Sequence, residues 1–219
     1  MKGMWWKILG VFLVLYAIVG GLLIEVPRLP ILNETIRNLY FHVTMWFSMI
    51  ILLTASLVHS IQYLSSGSLE RDTRATETAS VGILLGLLGV ITGSLWAKFT
   101  WGAYWVNDPK LNGAAITILI YLAYNILRGS LEDPKKRARI SAVYNIFAYV
   151  LLIVFLIILP RVTDSLHPGN GGNPAFSTYD LDNNMRLVFY PAIIGWSLIG
   201  FWMVNLRRRL FLLESKDDD

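Results

Sequence analysis

The sequence predicts an all-α integral membrane protein, a bundle of six transmembrane helices with a tryptophan-rich loop on its outward face. Apolar residues make up 55% of the 219 residues and charged residues only 16%, whereas soluble domains carry about a quarter charged residues. The sparse charges lie between long apolar runs, which is typical of membrane spans. Lysine and arginine also concentrate in alternate loops, and this bias predicts an orientation.

Six apolar runs are each long enough to cross a bilayer as a helix, since roughly 20 residues span about 30 Å. The first run follows Trp5 and Lys7, and its weak cleavage pattern indicates an uncleaved helix rather than a signal peptide. Pro160 and Pro191 are expected to end or kink their helices. We predict helices at about residues 6–24, 40–63, 79–98, 111–128, 141–160 and 185–206, within one membrane domain that covers residues 1–219.

The loop charges predict that both termini are cytoplasmic. If the N-terminal side is inner, the outer loops are residues 25–39, 99–110 and 161–184. Of the 19 Lys and Arg residues, the outer segments carry Arg28, Arg37, Lys98, Lys110, Arg161 and Arg186. The inner segments carry Lys2, Lys7, Arg71, Arg74, Arg128, Lys135, Lys136, Arg137, Arg139, Arg207, Arg208, Arg209 and Lys216. We interpret these basic segments as topology determinants rather than as a nucleic-acid site.

The sequence contains no cysteine. Disulfides, thiolate metal sites and covalent haem attachment through Cys-x-x-Cys-His are therefore excluded. A phosphate-binding Gly-x-x-x-x-Gly-Lys-Ser/Thr loop is also absent, so the chain gives no sign of hydrolysing ATP.

Aromatic residues are dense between the third and fourth predicted helices, in residues 96–110, here called the tryptophan-rich segment. It contains Trp96, Trp101, Tyr104 and Trp105 and then the polar Asp108 and Lys110. Trp101, Trp105 and Asp108 have helical spacing and would share one helix face. Asp108 before Pro109 suits a helix start. The segment is either an ordinary interfacial aromatic belt with a helix cap or a surface for a flat apolar ligand with charged groups.

Two of the three histidines are predicted on the same side as the tryptophan-rich segment. His42 lies at the outer start of the second helix, and His167 lies just beyond the fifth. The long outer loop that begins there contains the run from His167 to Pro174, whose Gly, Pro and Asn residues favour irregular backbone. Because neutral imidazole binds haem iron well, His42 and His167 are predicted as axial ligands of a non-covalently bound haem b.

The other polar residues have less specific predictions. Trp46 is one turn below His42, in the core or in the same pocket. The propionates of a haem would pair with Lys98, Lys110, Arg37, Arg161 or Arg186, among which the sequence does not choose. His59 lies 17 residues after His42, about 25 Å along the helix, so we expect a packing role for it.

The run Trp101-Gly-Ala-Tyr-Trp105-Val-Asn-Asp108-Pro-Lys110-Leu111 resembles the signature W-G-x-x-W-x-W-D-x-R-L of the haem-handling "WWD" family of cytochrome c maturation. Asn107 stands in place of the third Trp, and Lys110 in place of the Arg. Phe41-His42-Val43 and Ser165-Leu166-His167 resemble the family's two histidine segments. Six spans in a chain of this length resemble CcmC, the smaller member, whereas Asp-Pro-Lys is closer to its CcsA and ResC relatives.

The resemblance implies a role and a set of partners. CcmC-like proteins present haem at the outer surface of the bacterial inner membrane and pass it to CcmE, a periplasmic haem chaperone. They work with the ATP-binding CcmA, its membrane partner CcmB and the small CcmD. The family's axial histidines correspond to His42 and His167, and its haem-contacting aromatic loop corresponds to residues 96–110.

Three alternatives remain open from the sequence. The chain is a component of a CcsA/ResC-like cytochrome c synthase, a membrane cytochrome b that carries electrons between two histidine ligands, or a solute transporter or structural subunit. Electron carriers usually hold haem between helices at membrane depth, whereas His167 is predicted in a loop, which disfavours the cytochrome b. No charged residue lies deep within a predicted span, which disfavours an ion-coupled transporter. Transfer of haem to an acceptor would require one displaceable ligand, for which His167 is the candidate.

Overall fold

The computed structural model of the chain describes residues 3–167 and 181–217. Six helical segments of this part are long and apolar enough to cross a membrane, and its secondary structure is helical throughout. The prediction of an all-α membrane protein with six spans is therefore confirmed. Residues 168–180, the greater part of the predicted third outer loop and of its glycine-rich run, lie outside the described residues.

The helix bounds follow the predicted spans but run past several of them. The helices are α1 Trp5–Leu23, α2 Leu39–Ser66, α3 Leu69–Trp101, α4 Pro109–Gly129, α5 Pro134–Ile153, the short α6 Leu159–Val162 and α7 Asn183–Asp217. A 3-10 helix, Asn33–Asn38, leads into α2, and a π-helical turn, Val154–Ile158, joins α5 to α6.

Residues with well-known boundary preferences begin and end these helices. Gly67 and Gly102 follow α2 and α3 in the left-handed conformation, which glycine adopts without steric cost. Asp108 caps α4 by accepting hydrogen bonds from two backbone N–H groups, and Pro109 takes the first helical position. The predicted helix start at Asp108 and Pro109 is therefore confirmed.

The third helix begins ten residues before its predicted start. Residues 69–78 are too polar for a membrane span, yet they form regular helix. Glu70 and Asp72 lie in the first turn, where negative charge favours a helix, and Arg74 pairs with Glu70 one turn earlier. Hydropathy thus located the apolar part of this helix but not its polar extension.

The tryptophan-rich segment is divided between a helix and a loop. Trp96 and Trp101 belong to α3, whereas residues 102–108 are not helical. The expectation that Trp101, Trp105 and Asp108 share one helix face is therefore wrong. Gly102 ends the helix directly after Trp101, and Asp108 starts the next one.

Neither proline at a predicted breakpoint ends its helical segment. α7 continues through Pro191. Before Pro160, the π-helical turn changes the hydrogen-bond pattern, and the chain continues as α6 to Val162. Proline donates no backbone hydrogen bond. The π-helical turn accommodates this loss, and the helical segment continues to Val162, shortly before His167.

Helix directions place the start of α1 and the end of α7 at one end of the bundle, here called the terminal end. Lys7 lies 5.3 Å from the ring of Trp202, which brings the start of α1 beside α7. The opposite end carries the first turn of α2, the last turn of α3 and the start of α4, and is called the His42 end. α2 packs most extensively against α3 and also contacts α5 and α7.

Candidate functional site

A row of glycines on α3 lets α2 approach closely. Gly82, Gly86, Gly89 and Gly93 follow the spacing of one helix face, and an added Cβ would meet, in the same order, Leu53, Met49, Trp46 and His42. At Gly93 that Cβ would lie 2.9 Å from His42 Nδ1. Small residues allow such approach of membrane helices, and here the approach seats the His42 ring against the backbone of α3.

The orientation of His42 is fixed by a backbone carbonyl. His42 Nδ1 lies 2.9 Å from the carbonyl oxygen of Gly89. Because a carbonyl only accepts, Nδ1 must carry the proton and donate it. Nε2 is then the unprotonated nitrogen, which is the atom able to bind a metal. A hydrogen bond of this kind is the usual means by which proteins orient metal-binding histidines.

Two indole rings flank the His42 imidazole edge to face. The ring centres of Trp46 and Trp96 lie 6.3 and 5.9 Å from that of His42. Trp96 Nε1 donates to the Thr35 hydroxyl at 3.1 Å, so the 3-10 helix before α2 holds this indole in place. The structure therefore brings the predicted Trp96 to His42, together with Trp46.

The second predicted ligand, His167, is held by Asp108. His167 Nδ1 lies 3.0 Å from Asp108 Oδ1. An ionised carboxylate only accepts, so Nδ1 donates and Nε2 is again the unprotonated nitrogen, the atom able to bind a metal. Trp101 contacts the same imidazole edge to face, with ring centres 4.9 Å apart.

Both members of this pair have shifted pKa values. Burial lowers the pKa of His167 to about 4, the nearby charge of Lys110 acts in the same direction, and Asp108 opposes both. Burial alone would raise the pKa of Asp108, but hydrogen bonds from Leu166 and Ser165 bring it below its usual range. At neutral pH His167 is therefore uncharged, the form that binds iron, and Asp108 is ionised.

The two histidines belong to one neighbourhood, although they are 125 positions apart in the sequence. His42 contacts Trp96 and His167 contacts Trp101, and both of these indoles lie in the last two turns of α3. Two neutral imidazoles, each with Nδ1 engaged and Nε2 unprotonated, suit a metal whose other ligands come from a porphyrin. Since the chain lacks cysteine, the residues present fit a haem bound without covalent attachment.

The loop between α3 and α4 exposes aromatic surface beside this pair. Tyr104 is 59% exposed and Trp105 is 42% exposed, and Trp105 Nε1 donates to Asn112 at 3.3 Å. Lys98 lies 5.6 Å from the Tyr104 ring and donates to the Gly102 carbonyl. Trp101 thus contacts the predicted ligand His167, whereas Tyr104 and Trp105 are exposed aromatic residues of the adjoining loop.

The five cations considered for propionates have different surroundings. Arg37 pairs with Glu34 and donates to the carbonyls of Gly21 and Ile24 at the end of α1. Lys98 is engaged within its own turn. The charge of Lys110 contributes to the lowered pKa of His167. Lys110 is therefore the cation that we associate with the histidine pair.

His59 lies apart from this site. It occupies the other half of α2, and its Nδ1 contacts the Gln62 side chain at 3.2 Å. The geometry of one continuous helix separates it from His42 by about 25 Å. Sequence reasoning placed His59 correctly, but it missed the glycine row, Thr35 and Ser165. The glycine spacing was visible in the sequence, whereas nothing there linked Thr35 or Ser165 to a histidine.

Comparisons with known proteins identify the family of the chain. The sequence profile of the family described as Heme exporter protein C matches residues 2–218. Heme exporter protein C of Rhodobacter capsulatus is 26% identical over 188 residues, 85% of this chain and 74% of the relative. That of Paracoccus denitrificans is 27% identical over 187 residues, with the same shares covered. Cytochrome c biogenesis protein CcsA of Prochlorococcus marinus is 38% identical over 91 residues, 42% of this chain and 28% of the relative.

The profile match extends over nearly the whole chain, so the predicted family is confirmed. This protein belongs to the Heme exporter protein C family, CcmC.

Proposed function

We propose that the protein binds haem b non-covalently between His42 and His167 and delivers it to a CcmE-like chaperone for the assembly of c-type cytochromes. Family membership supports a role in haem handling for cytochrome c biogenesis. The site would lie at the periplasmic surface of the bacterial inner membrane, with both termini in the cytoplasm. CcmA, CcmB and CcmD are the proposed partners.

The observation that carries this proposal is that two histidines from separate segments are oriented in the same way. Each donates a hydrogen bond from Nδ1 to an oxygen atom, at 2.9 Å for His42 and 3.0 Å for His167. Each is flanked by tryptophan from α3. Haem would supply an iron with two open axial positions, and the chain would supply the ligands, the apolar rings and a nearby cation.

The two histidines differ in how they are anchored, and this difference suits delivery. His42 lies on α2 and is confined by α3. His167 lies beyond the last helical residue, Val162, and depends on side-chain contacts. We therefore assign His167 as the ligand that an acceptor histidine replaces. Equal protection of residues 163–167 from hydrogen exchange before and after acceptor docking would contradict this assignment.

Histidine substitutions test the proposal directly. We expect His42→Ala and His167→Ala to lower bound haem and mature c-type cytochrome strongly, because each removes an axial ligand. His59→Ala should match wild type, because it lies in the other half of α2. The measurements are the haem content and absorption spectrum of the purified protein and the cytochrome c level of complemented cells. Wild-type haem content in both ligand variants would exclude this site.

The proposed orientation is testable because the chain has no cysteine of its own. Cysteine introduced at Asn107, exposed at the His42 end, should react with a membrane-impermeant maleimide added to intact spheroplasts. Cysteine introduced at Ser66, exposed at the terminal end, should react only after the membrane is opened. The reverse pattern would place the haem site on the cytoplasmic side.

A second candidate function follows from the similarity to CcsA, a cytochrome c biogenesis protein by its name. In this alternative the chain passes haem directly to an apocytochrome as part of a synthase. Cytochrome c maturation in cells that lack a CcmE-like chaperone would favour the alternative, and its loss in those cells would favour delivery through the chaperone.

A further inference from the structure

The chain contains two Asp-Pro-Lys sequences, and each begins a helix. Asp108 and Asp133 cap α4 and α5. Asp133 is exposed and accepts one hydrogen bond, from the backbone N–H of Lys136 at 2.6 Å. This is what an ordinary helix cap requires. Asp133 therefore shows what Asp108 would look like if capping were its whole role.

Asp108 differs from this internal reference in burial and in the number of its donors. It is 1% exposed. Its Oδ1 accepts from the backbone N–H groups of Lys110 and Leu111 and from His167 Nδ1. Its Oδ2 accepts from the Ser165 hydroxyl at 2.9 Å and from the backbone N–H of Leu166 at 2.7 Å. Three of these five donors belong to the segment that carries His167.

We propose that Asp108 is the positioning residue of His167: it holds the imidazole and its backbone against the start of α4 and touches no haem itself. This inference deepens the proposed function and rests on it. The carboxylate is surrounded by protein donors, so its action on a ligand passes through His167. The tryptophan-rich segment would thereby contribute to the site through a hydrogen bond as well as through its rings.

The chemistry of the hydrogen bond determines what this positioning does. Donation from Nδ1 to a carboxylate fixes the tautomer and makes Nε2 a stronger electron donor. A stronger axial donor favours ferric over ferrous iron and slows its own replacement. The same carboxylate ties Ser165 and Leu166 to α4, so release of His167 would require this cluster to open.

The test compares Asp108→Asn with Asp133→Asn in full-length protein loaded with haem b. Asparagine is as good a helix cap as aspartate, so both variants should keep their helix starts. At Asp108, however, a neutral amide is a weaker acceptor for His167, and its NH₂ group opposes the Leu166 N–H. The measurements are the midpoint potential of the ferric/ferrous couple, the low-spin electron paramagnetic resonance signal of the ferric haem and the rate at which cyanide replaces an axial histidine.

We expect Asp108→Asn to exchange an axial histidine for cyanide about tenfold faster or more and to have a raised midpoint potential. Loss of the hydrogen-bond partner of a metal-binding histidine commonly costs roughly 10–100-fold in metal affinity. Asp133→Asn should match wild type in both. Ser165→Ala provides a second route if Asp108→Asn fails to fold, and it should change both values in the same direction but less. Wild-type exchange rate and potential in the folded variants would overturn the positioning role and leave haem binding intact. Failure of wild-type protein to take up haem would instead overturn the site itself.

Discussion

Replacement of Gly93 by alanine is expected to reduce haem affinity by about 100-fold, although the new side chain touches no haem. The added Cβ would lie 2.9 Å from His42 Nδ1, and the ring cannot withdraw without losing its hydrogen bond to the Gly89 carbonyl. A misplaced ring no longer directs Nε2 at the iron, and loss of the contacts that orient a metal-binding histidine costs roughly 10–100-fold in metal affinity. Haem titration of the purified variant measures the effect.

Gly82→Ala is the matched control for this prediction. It lies on the same face of α3, three turns away, and its Cβ would meet the Leu53 side chain at 2.9 Å. A flexible leucine side chain can adjust, so we expect a stability cost of about 1–3 kcal/mol, as for other overpacked positions, and wild-type haem affinity. Equal haem affinities for Gly93→Ala and Gly82→Ala would show that the glycine row serves helix packing alone.

The second large effect is expected at the terminal end, where Arg128 of α4 pairs with Asp72 of α3. The two hydrogen bonds measure 2.8 and 2.6 Å, and the Asp72 side chain is only 8% exposed. Arg128→Met would leave this carboxylate buried without its main partner. Losses of this kind cost about 3–5 kcal/mol. Unfolding in mixed detergent, followed by circular dichroism, gives the change in stability.

A double substitution separates the ion pair from simple packing. Asp72→Leu combined with Arg128→Met should recover much of the lost stability, since replacing both buried charges is often neutral. The exposed pair formed by Glu70 and Arg74 is the control, and Arg74→Ala should cost far less stability than Arg128→Met because solvent screens an exposed ion pair. Arg128→Met should retain the wild-type haem spectrum, and a changed spectrum would contradict the separation of the two ends.

Hydropathy predicted the number and order of the helices because membrane spans require long apolar runs. The same reasoning could not place the start of α3, since residues 69–78 form helix through terminal charges and the pair of Glu70 with Arg74. It also extended the helical spacing of Trp101 and Trp105 across Gly102, whose left-handed conformation ends the helix. A spacing rule applies only while the helix continues.

The candidate site was predicted as a set of residue types at one membrane surface, and the prediction of His42 and His167 as a pair depended on the predicted topology and on the family resemblance. Their connections depended on tertiary structure. Asp108 was expected to be a cap or a haem contact, and its bonds to the segment of His167 arise only when α4 and the chain after α6 meet. No periodicity of either segment contains that information.

The side chain of Arg37 makes the first helix mechanically relevant to the histidine pair. α1 packs chiefly on α7. Arg37 nevertheless donates hydrogen bonds to carbonyl groups at the end of α1. Thr35, two residues earlier, accepts a hydrogen bond from the Trp96 indole beside His42. A displacement of α1 would therefore be transmitted through Arg37 and Thr35 to the Trp96 ring beside His42. Fusions or truncations at that end should be judged by the spectrum of bound cofactor as well as by expression level.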